Sequence, residues 1–600
     1  MFSRLTRLLL AAVLALAAIG YTAVRLGGAG PRAVAATTPP TIKIGHNAQL
    51  FGFTTRKLTI KKGQVVRVVN GDTMRHTVTS FRTNSHGDPL FNVSIPARAT
   101  ARIRATAELA PGKYRFRCLL HPQRMVGTLT VKGSGGGTTG SGQTFALPLR
   151  IPKVITGSHP VIPVERAAVQ VFAHGPRTMM WTYGGSFPGP TIRRPSGAFT
   201  KVTFQDKLTV AGKLSVHLHG DHHASASDGQ PDSNLLAPGH SRSYGYPLKD
   251  NNKAIPGAFF YYHDHRMMRT GRNNWMGLQG MFVVDNPSER KYDLPGGRYD
   301  VPLAVTDRSF TKDNQLLDPF PKDPMQSVTG THAPPNDATV GTTVLVNGEY
   351  SPHFDVATHR YRLRILNSSN FQAYDFELSD GRSFTQLGSG DSLFPKPVVR
   401  KHILLGPSER ADVVVNFGGE LGKRVYLKSS AGSASVKLMQ FRVTRRVSDS
   451  SRVPANLLTL PAQPPLTTPG IAKTWDINDP AKIGNATYWR INGKAYDPTV
   501  SQFTVKRDST QRWSITNRSM MTHYFHIHEE QWRTISRSHN GSAVPVPAWE
   551  RGLQDTWQLN PGDTVVVEGT FSDYLGRFMV HCHMLDHEDD GLMAQFTVVK

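Results

Sequence analysis

A cysteine between two histidines is the part of the sequence best suited to binding a metal. His581, Cys582 and His583 are consecutive, and His587 follows four residues later. A soft thiolate with imidazole nitrogens and a weak or absent axial ligand is the donor set of a blue-copper electron-transfer centre. On a strand, successive side chains point to opposite faces, so Cys582 faces away from both neighbouring histidines. One tripeptide can therefore serve two metal sites and connect them through its backbone.

Three further histidine clusters precede this segment. They are, in chain order, His217 and His219, then His263 and His265, then His523, His526 and His528. An isolated Cys-x-His is more often part of an ordinary core, but four clusters in this order are highly specific. Together they resemble the copper motifs of the multicopper oxidases, the group of laccases, bilirubin oxidases and cuprous oxidases. No part of the family pattern is missing.

The resemblance implies ligands for four coppers and an oxidase that reduces dioxygen to water. The implied type 1 ligands are His523, Cys582 and His587, and the implied type 2 ligands are His217 and His526. The first type 3 copper would be held by His219, His263 and His583, and the second by His265, His528 and His581. The axial position of the type 1 site falls at Leu592, with Met593 as the nearby rival. An apolar axial residue donates nothing to oxidised copper, so we expect a relatively high potential.

The resemblance also implies acidic residues near the coppers, because oxygen reduction consumes protons. Asp228 and Glu588 match the two acidic positions of the family, although solvated loop acids are the alternative interpretation. Asp555 matches a motif near the type 1 site, and we interpret it as a partner that orients an imidazole. His222 and His223 lie in a loop-like run and are not expected to be ligands.

A separate small β-domain is predicted before the main body. Alternating apolar runs bounded by glycine and Asn-Gly turns predict short strands there. The segment also contains His76, Cys118, His121 and Met125, which together fit a type 1 copper site with an axial thioether. It resembles a cupredoxin of the plastocyanin and amicyanin kind, with a His121-to-Met125 spacing between those of the two. The implied total is five coppers per chain, and a copper-free cupredoxin is the alternative.

The whole chain is predicted to be all-β, with four cupredoxin-like Greek-key barrel or sandwich domains. A charged fraction of 19%, with 54 glycines and 41 prolines, favours short strands and many turns. The predicted segments are 1–36 (signal peptide or membrane anchor), 37–131 (cupredoxin), 132–144 (Gly/Ser/Thr-rich linker), and 145–290, 298–447 and 470–600 (oxidase domains). Basic residues, an apolar run and an A-x-A-like signal at Ala33–Ala35 predict export.

Charge and cysteine content limit the partners. The net charge is +26, and residues 36–131 hold 15 Lys and Arg against 3 Asp and Glu. Because Asp586, Glu588, Asp589 and Asp590 surround the type 1 segment, we hypothesise that the basic cupredoxin docks on an acidic face. That face could belong to its own oxidase body or to a redox partner, and binding of anionic cell-wall polymers is the alternative. No nucleic-acid motif is visible.

Both cysteines lie in metal-ligand patterns, so no disulfide is predicted.

The expected reaction is the oxidation of phenols, aromatic amines or low-valent metal ions by dioxygen. A cuprous oxidase of copper tolerance remains an alternative, although the chain has no long Met-rich insertion. A copper nitrite reductase would lack the type 3 pair. A non-catalytic scaffold would bind no copper and an electron carrier would bind one, whereas the oxidase would bind five. Copper content therefore distinguishes these three hypotheses.

Overall fold

The computed structural model describes residues 39–600 except for 47, 49–51, 74, 81–88, 104–108, 110–111, 119–124, 133–144, 209, 321–338, 430–435 and 484–485. The predicted signal or anchor segment, nearly all of the linker and His121 lie outside the described residues. Among the helices that are described, none is long and apolar enough to span a membrane. The predicted all-β, cupredoxin-like class is confirmed, because the strands form paired sheets around four separate apolar cores.

The N-terminal unit contains a three-stranded and a five-stranded sheet. In spatial order the strands are Thr41–Ile44, Val66–Asn70 and Thr100–Ile103, and then Lys57–Lys61, Val126–Lys132, Gly112–Arg117, His76–Ser80 and Asn92–Ile95. Alternating burial along Val126–Lys132 places every second residue in the core, as expected for a sheet with one wet face. Cys118 and Met125 are both fully buried in this core.

The first unit of the main body provides two of the histidine pairs. One sheet contains Thr178–Tyr183, Val161–Val169, Thr200–Asp206 and Ser241–Tyr246. The other contains Val216–Leu218, Ala258–Asp264, Gln279–Asp285, Thr191–Pro195 and Val154–Ile155, and a small ribbon pairs Lys249–Asp250 with Lys253–Ala254. A helix, Thr270–Met276, and the 3-10 turns Ser225–Ser227, Pro287–Tyr292 and Gly297–Tyr299 connect the strands.

The second unit has the strands Glu349–Tyr350, Thr343–Val346, Asp300–Arg308, Arg360–Asn367, Arg410–Asn416, Phe384–Gly388 and Leu393–Arg400 in its larger sheet. Its other sheet contains His353–Ala357, Val436–Arg445, Arg424–Ser429, Tyr374–Leu378 and Ile403–Leu405. Leu149 packs in this core, so the segment predicted to open the first oxidase domain lies against the second unit.

The third unit holds the remaining ligand clusters. Its larger sheet contains Ala486–Ile491, Ile471–Ile483, Ser509–Asn517, Asp563–Phe571, Trp532–His539 and Ser542–Val544, with Leu553–Gln554 paired to Trp532–His539. The other sheet contains Phe503–Lys506, Met593–Val599, Gly576–Cys582, His523–Ile527 and Thr556–Leu559. A 3-10 turn, Ala548–Glu550, and a helix, Leu585–Asp589, complete the unit.

Candidate metal centre

Strand register brings the four histidine clusters together. His217 pairs directly with His263 between two antiparallel strands of the first unit. In the third unit, His526 pairs in the same way with His581. Directly opposed residues of an antiparallel pair share one face of the sheet. The ligand-bearing faces of the first and third units therefore meet.

Eight imidazoles form one buried group, here called the histidine cluster: His217, His219, His263, His265, His526, His528, His581 and His583. Their Nε2 atoms face one another. The His219 Nε2 lies 3.1 Å from that of His263 and 3.0 Å from that of His583. The His581 Nε2 lies 3.2 Å from that of His265 and 3.1 Å from that of His528. The Nε2 atoms of His217 and His526 also lie close together, 3.3 Å apart.

The other ring nitrogens of the cluster fix which atom can bind a metal. The Nδ1 atoms of His217, His263 and His526 donate to backbone carbonyls at 2.6, 2.8 and 2.9 Å. A neutral imidazole has only one N–H, so its Nε2 then presents a lone pair. Lone pairs that face each other at hydrogen-bond distance require a shared cation. The donor set therefore fits metal ions, and imidazole nitrogen suits copper.

Burial keeps these rings in the metal-binding, unprotonated form. Desolvation lowers the pKa of His219, His263 and His526 well below the ordinary value, and neighbouring imidazoles lower it further. The pKa of His265 falls to about 4, again mainly through burial. The free nitrogens are thus available as ligands at neutral pH.

A second group, here called the thiolate site, consists of His523, Cys582 and His587. The Sγ of Cys582 lies 3.4 Å from Nδ1 of His523 and 3.8 Å from Nδ1 of His587. The two Nδ1 atoms are 3.2 Å apart, so the three donors form a compact triangle. Burial raises the pKa of the Cys582 thiol to about 12 and lowers that of His587 to about 3. Only a bound cation would keep the thiolate stable in this apolar setting.

Register also distinguishes the two axial candidates. Met593 pairs directly with His581 and so shares its face, which is turned away from Cys582. Leu592 is fully buried, and its carbonyl accepts a hydrogen bond from the Cys582 amide. Register therefore favours Leu592 over Met593 as the axial residue.

Two of the predicted carboxylates contact the histidine cluster. Glu588 Oε2 lies 3.2 Å from Nδ1 of His581, and Asp228 Oδ2 lies 2.9 Å from Nδ1 of His528. Burial alone would raise both carboxyl pKa values, but the adjacent histidines hold both below the ordinary range. Each acid can therefore orient an imidazole and reach the cluster.

Asp555 contacts two imidazoles of the histidine cluster. Its Oδ2 lies 3.3 Å from Nδ1 of His219, and its carbonyl accepts from Nδ1 of His526. It can therefore orient imidazoles of the histidine cluster. Arg410, from the second unit, donates to its Oδ1 at 2.6 Å and also to Asp391. The sequence analysis missed Arg410, and a lone arginine in a predicted scaffold domain gives no local signal.

The acidic residues of the predicted docking face contact groups of the oxidase body. Asp586 accepts hydrogen bonds from the amide and hydroxyl of Thr339. Asp589 accepts from the amides of Thr270 and Gly271, at the start of a helix. Since Glu588 faces the histidine cluster, three of the four carboxylates point into the protein. Asp586 and Asp589 satisfy internal donors but remain partly exposed, so docking at this face stays a prediction.

The N-terminal unit brings together three of its four predicted ligands. The His76 Nδ1 lies 3.8 Å from the Cys118 Sγ, which also accepts the Thr77 amide at 3.3 Å. Asp72 holds the other nitrogen of His76 at 2.9 Å. Met125 is fully buried beside Cys118, whose amide donates to the Met125 carbonyl. This arrangement fits a metal bound through Nδ1 and sulfur.

Aromatic rings enclose the thiolate site. The Trp489 ring centroid lies 4.8 Å from that of His523 and 4.4 Å from that of His587. Phe371, from the second unit, packs edge-on against His587 at 5.3 Å. His587 is only 1% exposed, so electrons must reach the site through this shell.

Comparisons with known proteins agree with this geometry. A family model described as multicopper oxidase matches residues 464–600, and another with the same description matches residues 166–289. A laccase of Bacillus subtilis (strain 168) is 32% identical over 493 residues, covering 73% of this chain and 93% of the laccase. A bilirubin oxidase of Albifimbria verrucaria is 28% identical over 490 residues, covering 76% and 81%.

Among solved structures, a laccase from Pediococcus acidilactici superposes with a TM-score of 0.64 at 29% identity. The match covers 76% of this chain and 94% of that structure. Both segments matched by the family models lie C-terminal to the small unit, so its candidate copper site rests on its own residues.

Proposed function

Because the chain belongs to the multicopper oxidase family, we propose that it is a laccase-like enzyme that oxidises phenols, aromatic amines or low-valent metal ions. As a member of that family it is a copper-dependent oxidase that uses oxygen. The observation that supports the proposal most is the His581-Cys582-His583 tripeptide. It places one donor in the thiolate site and two in the histidine cluster.

Bound copper would supply one-electron chemistry at the thiolate site and dioxygen reduction to water at the histidine cluster. His523, Cys582 and His587 would hold the type 1 ion, and His217 and His526 the type 2 ion. The type 3 ligands would be His219, His263 and His583, and His265, His528 and His581. The protein contributes a dry, preformed site in which ligand orientation is fixed by hydrogen bonds.

The chain provides short routes for electrons and protons. The Cys582 Sγ is joined to the imidazoles of His581 and His583 by only a few covalent bonds. Asp228 Oδ2 receives a hydrogen bond from Nδ1 of His528, and Glu588 Oε2 lies 3.2 Å from Nδ1 of His581, so both carboxylates are placed to pass protons beside the cluster. Trp489 and Phe371 exclude water from the thiolate site.

The copper nitrite reductase alternative is not favoured by the geometry. Such an enzyme lacks a type 3 pair, whereas two separate triads of buried imidazoles lie within ligand distance here. An oxygen electrode with a phenolic donor tests the proposal. Copper-loaded protein should consume oxygen, and replacing oxygen by nitrite under argon should leave the donor unoxidised.

We expect the substitution Leu592→Met to lower the reduction potential of the type 1 copper. A thioether at the axial position donates to oxidised copper and stabilises it. Redox titration of the blue absorption band should show the lower potential, and oxidation of high-potential phenols should slow. Met593→Leu is the matched control, because its side chain lies on the opposite face and should leave the potential unchanged.

We further propose that the N-terminal unit binds a fifth copper and relays electrons to the main type 1 site. Its buried His76, Cys118 and Met125 support copper binding, and a thioether ligand supports a potential below that of a Leu592 site. Copper analysis should give five ions for the full chain and four for Cys118→Ser. Oxygen uptake should fall in the variant, and unchanged uptake with every donor would exclude a relay.

We also propose that the protein is exported. Arg4 and Arg7 precede an apolar run that ends before Ala33-Val34-Ala35, as in a secretory signal. An uncleaved anchor would retain the same export route, and the length of the mature N-terminus distinguishes the two.

A further inference from the structure

A second buried group of metal-binding side chains lies outside the sites described above. His222 follows the ligand strand Val216–Leu218, and Glu529 and Glu530 follow the ligand strand His523–Ile527. The three residues are 1%, 4% and 5% exposed. They lie where the first unit meets the third, and the side chain of Gln531 links the same two loops by donating to the Gly220 carbonyl.

The two glutamates are unusual because three of their four carboxylate oxygens are buried without a hydrogen-bond partner. Among the described residues, neither carboxylate oxygen of Glu529 has a hydrogen-bond partner, and neither does Oε1 of Glu530. Buried carboxylates are normally paired, hydrogen-bonded or bound to a metal. Glu529 also has a φ of 76°, a conformation that costs energy for a residue with a side chain.

The distances within this group match a metal coordination sphere. The His222 Nδ1 lies 3.4 Å from Glu529 Oε1 and 3.5 Å from Glu530 Oε1, longer than good hydrogen bonds. Ligands around a tetrahedral ion with bonds of about 2.1 Å are separated by about 3.4 Å. Both distances from Nδ1 to the carboxylate oxygens therefore match the ligand spacing of a tetrahedral site.

The other nitrogen of His222 has the partner expected for a metal ligand. Its Nε2 lies 3.1 Å from Asp573 Oδ2, which is itself fixed by the Asn251 amide at 2.7 Å. Histidines that bind metals commonly donate their second N–H to a carboxylate in this way. With Nε2 bonded to Asp573, Nδ1 faces the two carboxylates and the Glu529 carbonyl oxygen, which lies 3.4 Å away.

We propose that His222, Glu529 and Glu530 bind one divalent transition-metal ion of the zinc class, with water in the fourth position. One imidazole and two carboxylates suit such an ion better than calcium, which prefers six to eight oxygen ligands. The ion would fasten the loops that follow His219 and His528 and so stabilise the junction on which the histidine cluster is built. This assignment does not depend on the oxidase activity.

Cobalt is the probe of choice, because Co²⁺ can replace Zn²⁺ and its visible bands report tetrahedral geometry. Copper-loaded full-length protein should bind one further equivalent of Co²⁺, displaceable by Zn²⁺, without losing copper. The double variant Glu529→Gln/Glu530→Gln should lose this equivalent at unchanged copper content. Glu377→Gln, which alters a lysine-paired glutamate of the second unit, is the matched control and should retain it.

X-ray absorption of cobalt in the wild-type protein gives a readout that does not depend on variant folding. The expected first shell has one imidazole nitrogen, oxygen ligands and no sulfur. No cobalt uptake by the wild type would overturn the assignment, as would equal uptake by the double variant. A shell with several imidazoles would place cobalt in the copper sites and overturn it as well. In that case His222 is an ion-pair partner of the surrounding acids.

Discussion

Replacing Cys582 by serine is expected to abolish oxygen consumption with every reducing substrate. The substitution removes the only sulfur of the thiolate site, so the type 1 copper and its blue absorption should be lost. It also removes the electron route to His581 and His583. The histidine cluster should keep its copper, because its Nε2 donors and their hydrogen-bond partners are unchanged. Copper analysis and an oxygen electrode measure the two effects.

The Cys118→Ser variant is the matched control for this experiment. It removes the equivalent sulfur of the N-terminal unit and should lose one copper while keeping the blue band of the main body. If Cys582→Ser still consumed oxygen at the wild-type rate, electrons would enter the histidine cluster directly, and the role of the thiolate site would be refuted.

Glu588→Gln is expected to reduce turnover by about 100-fold. This is the lower end of the rate enhancement that a positioned general acid or base contributes. Glutamine keeps the shape of the side chain and can still accept a hydrogen bond from Nδ1 of His581, but it cannot carry a proton. The copper content and the KM for the phenol should therefore stay near the wild-type values while kcat falls. Steady-state kinetics and copper analysis check this separation.

Asp586→Asn is the control on the same helix, because the Asp586 carboxylate accepts hydrogen bonds from the amide and hydroxyl of Thr339. It should keep wild-type turnover. Loss of copper in Glu588→Gln would mean that Glu588 mainly holds the imidazoles. Unchanged turnover would remove it from the proton route.

The resemblance of the four histidine motifs to the multicopper oxidase pattern predicts that the chain's histidines come together. His217 and His263, or His526 and His581, are opposed through backbone register, and alternation on a strand predicts which side chains share a face. The all-β architecture followed from turn-rich composition in the same way. These features are local, so a single sequence contains them.

Features that depend on packing between units were not predictable. Asp555 contacts His219 across more than 300 residues of chain, and Arg410 reaches it from a unit interpreted as scaffold. The acidic residues after Cys582 suggest a charged surface. In the structure, Asp586 and Asp589 accept hydrogen bonds from internal donors, and Glu588 lies beside His581. His222 lies in a loop-like run, and the sequence gives no sign that Glu529 and Glu530, more than 300 residues away, lie beside it.

The electron balance of the reaction tests the central claim most directly. Oxygen uptake, oxidised phenol and hydrogen peroxide should be measured together on the copper-loaded chain. Coupling of a type 1 site to a complete histidine cluster predicts four phenols oxidised by one electron each per dioxygen consumed, with no peroxide released. Two electrons per dioxygen with accumulating peroxide would contradict it, because the histidine cluster would then not complete the reduction to water.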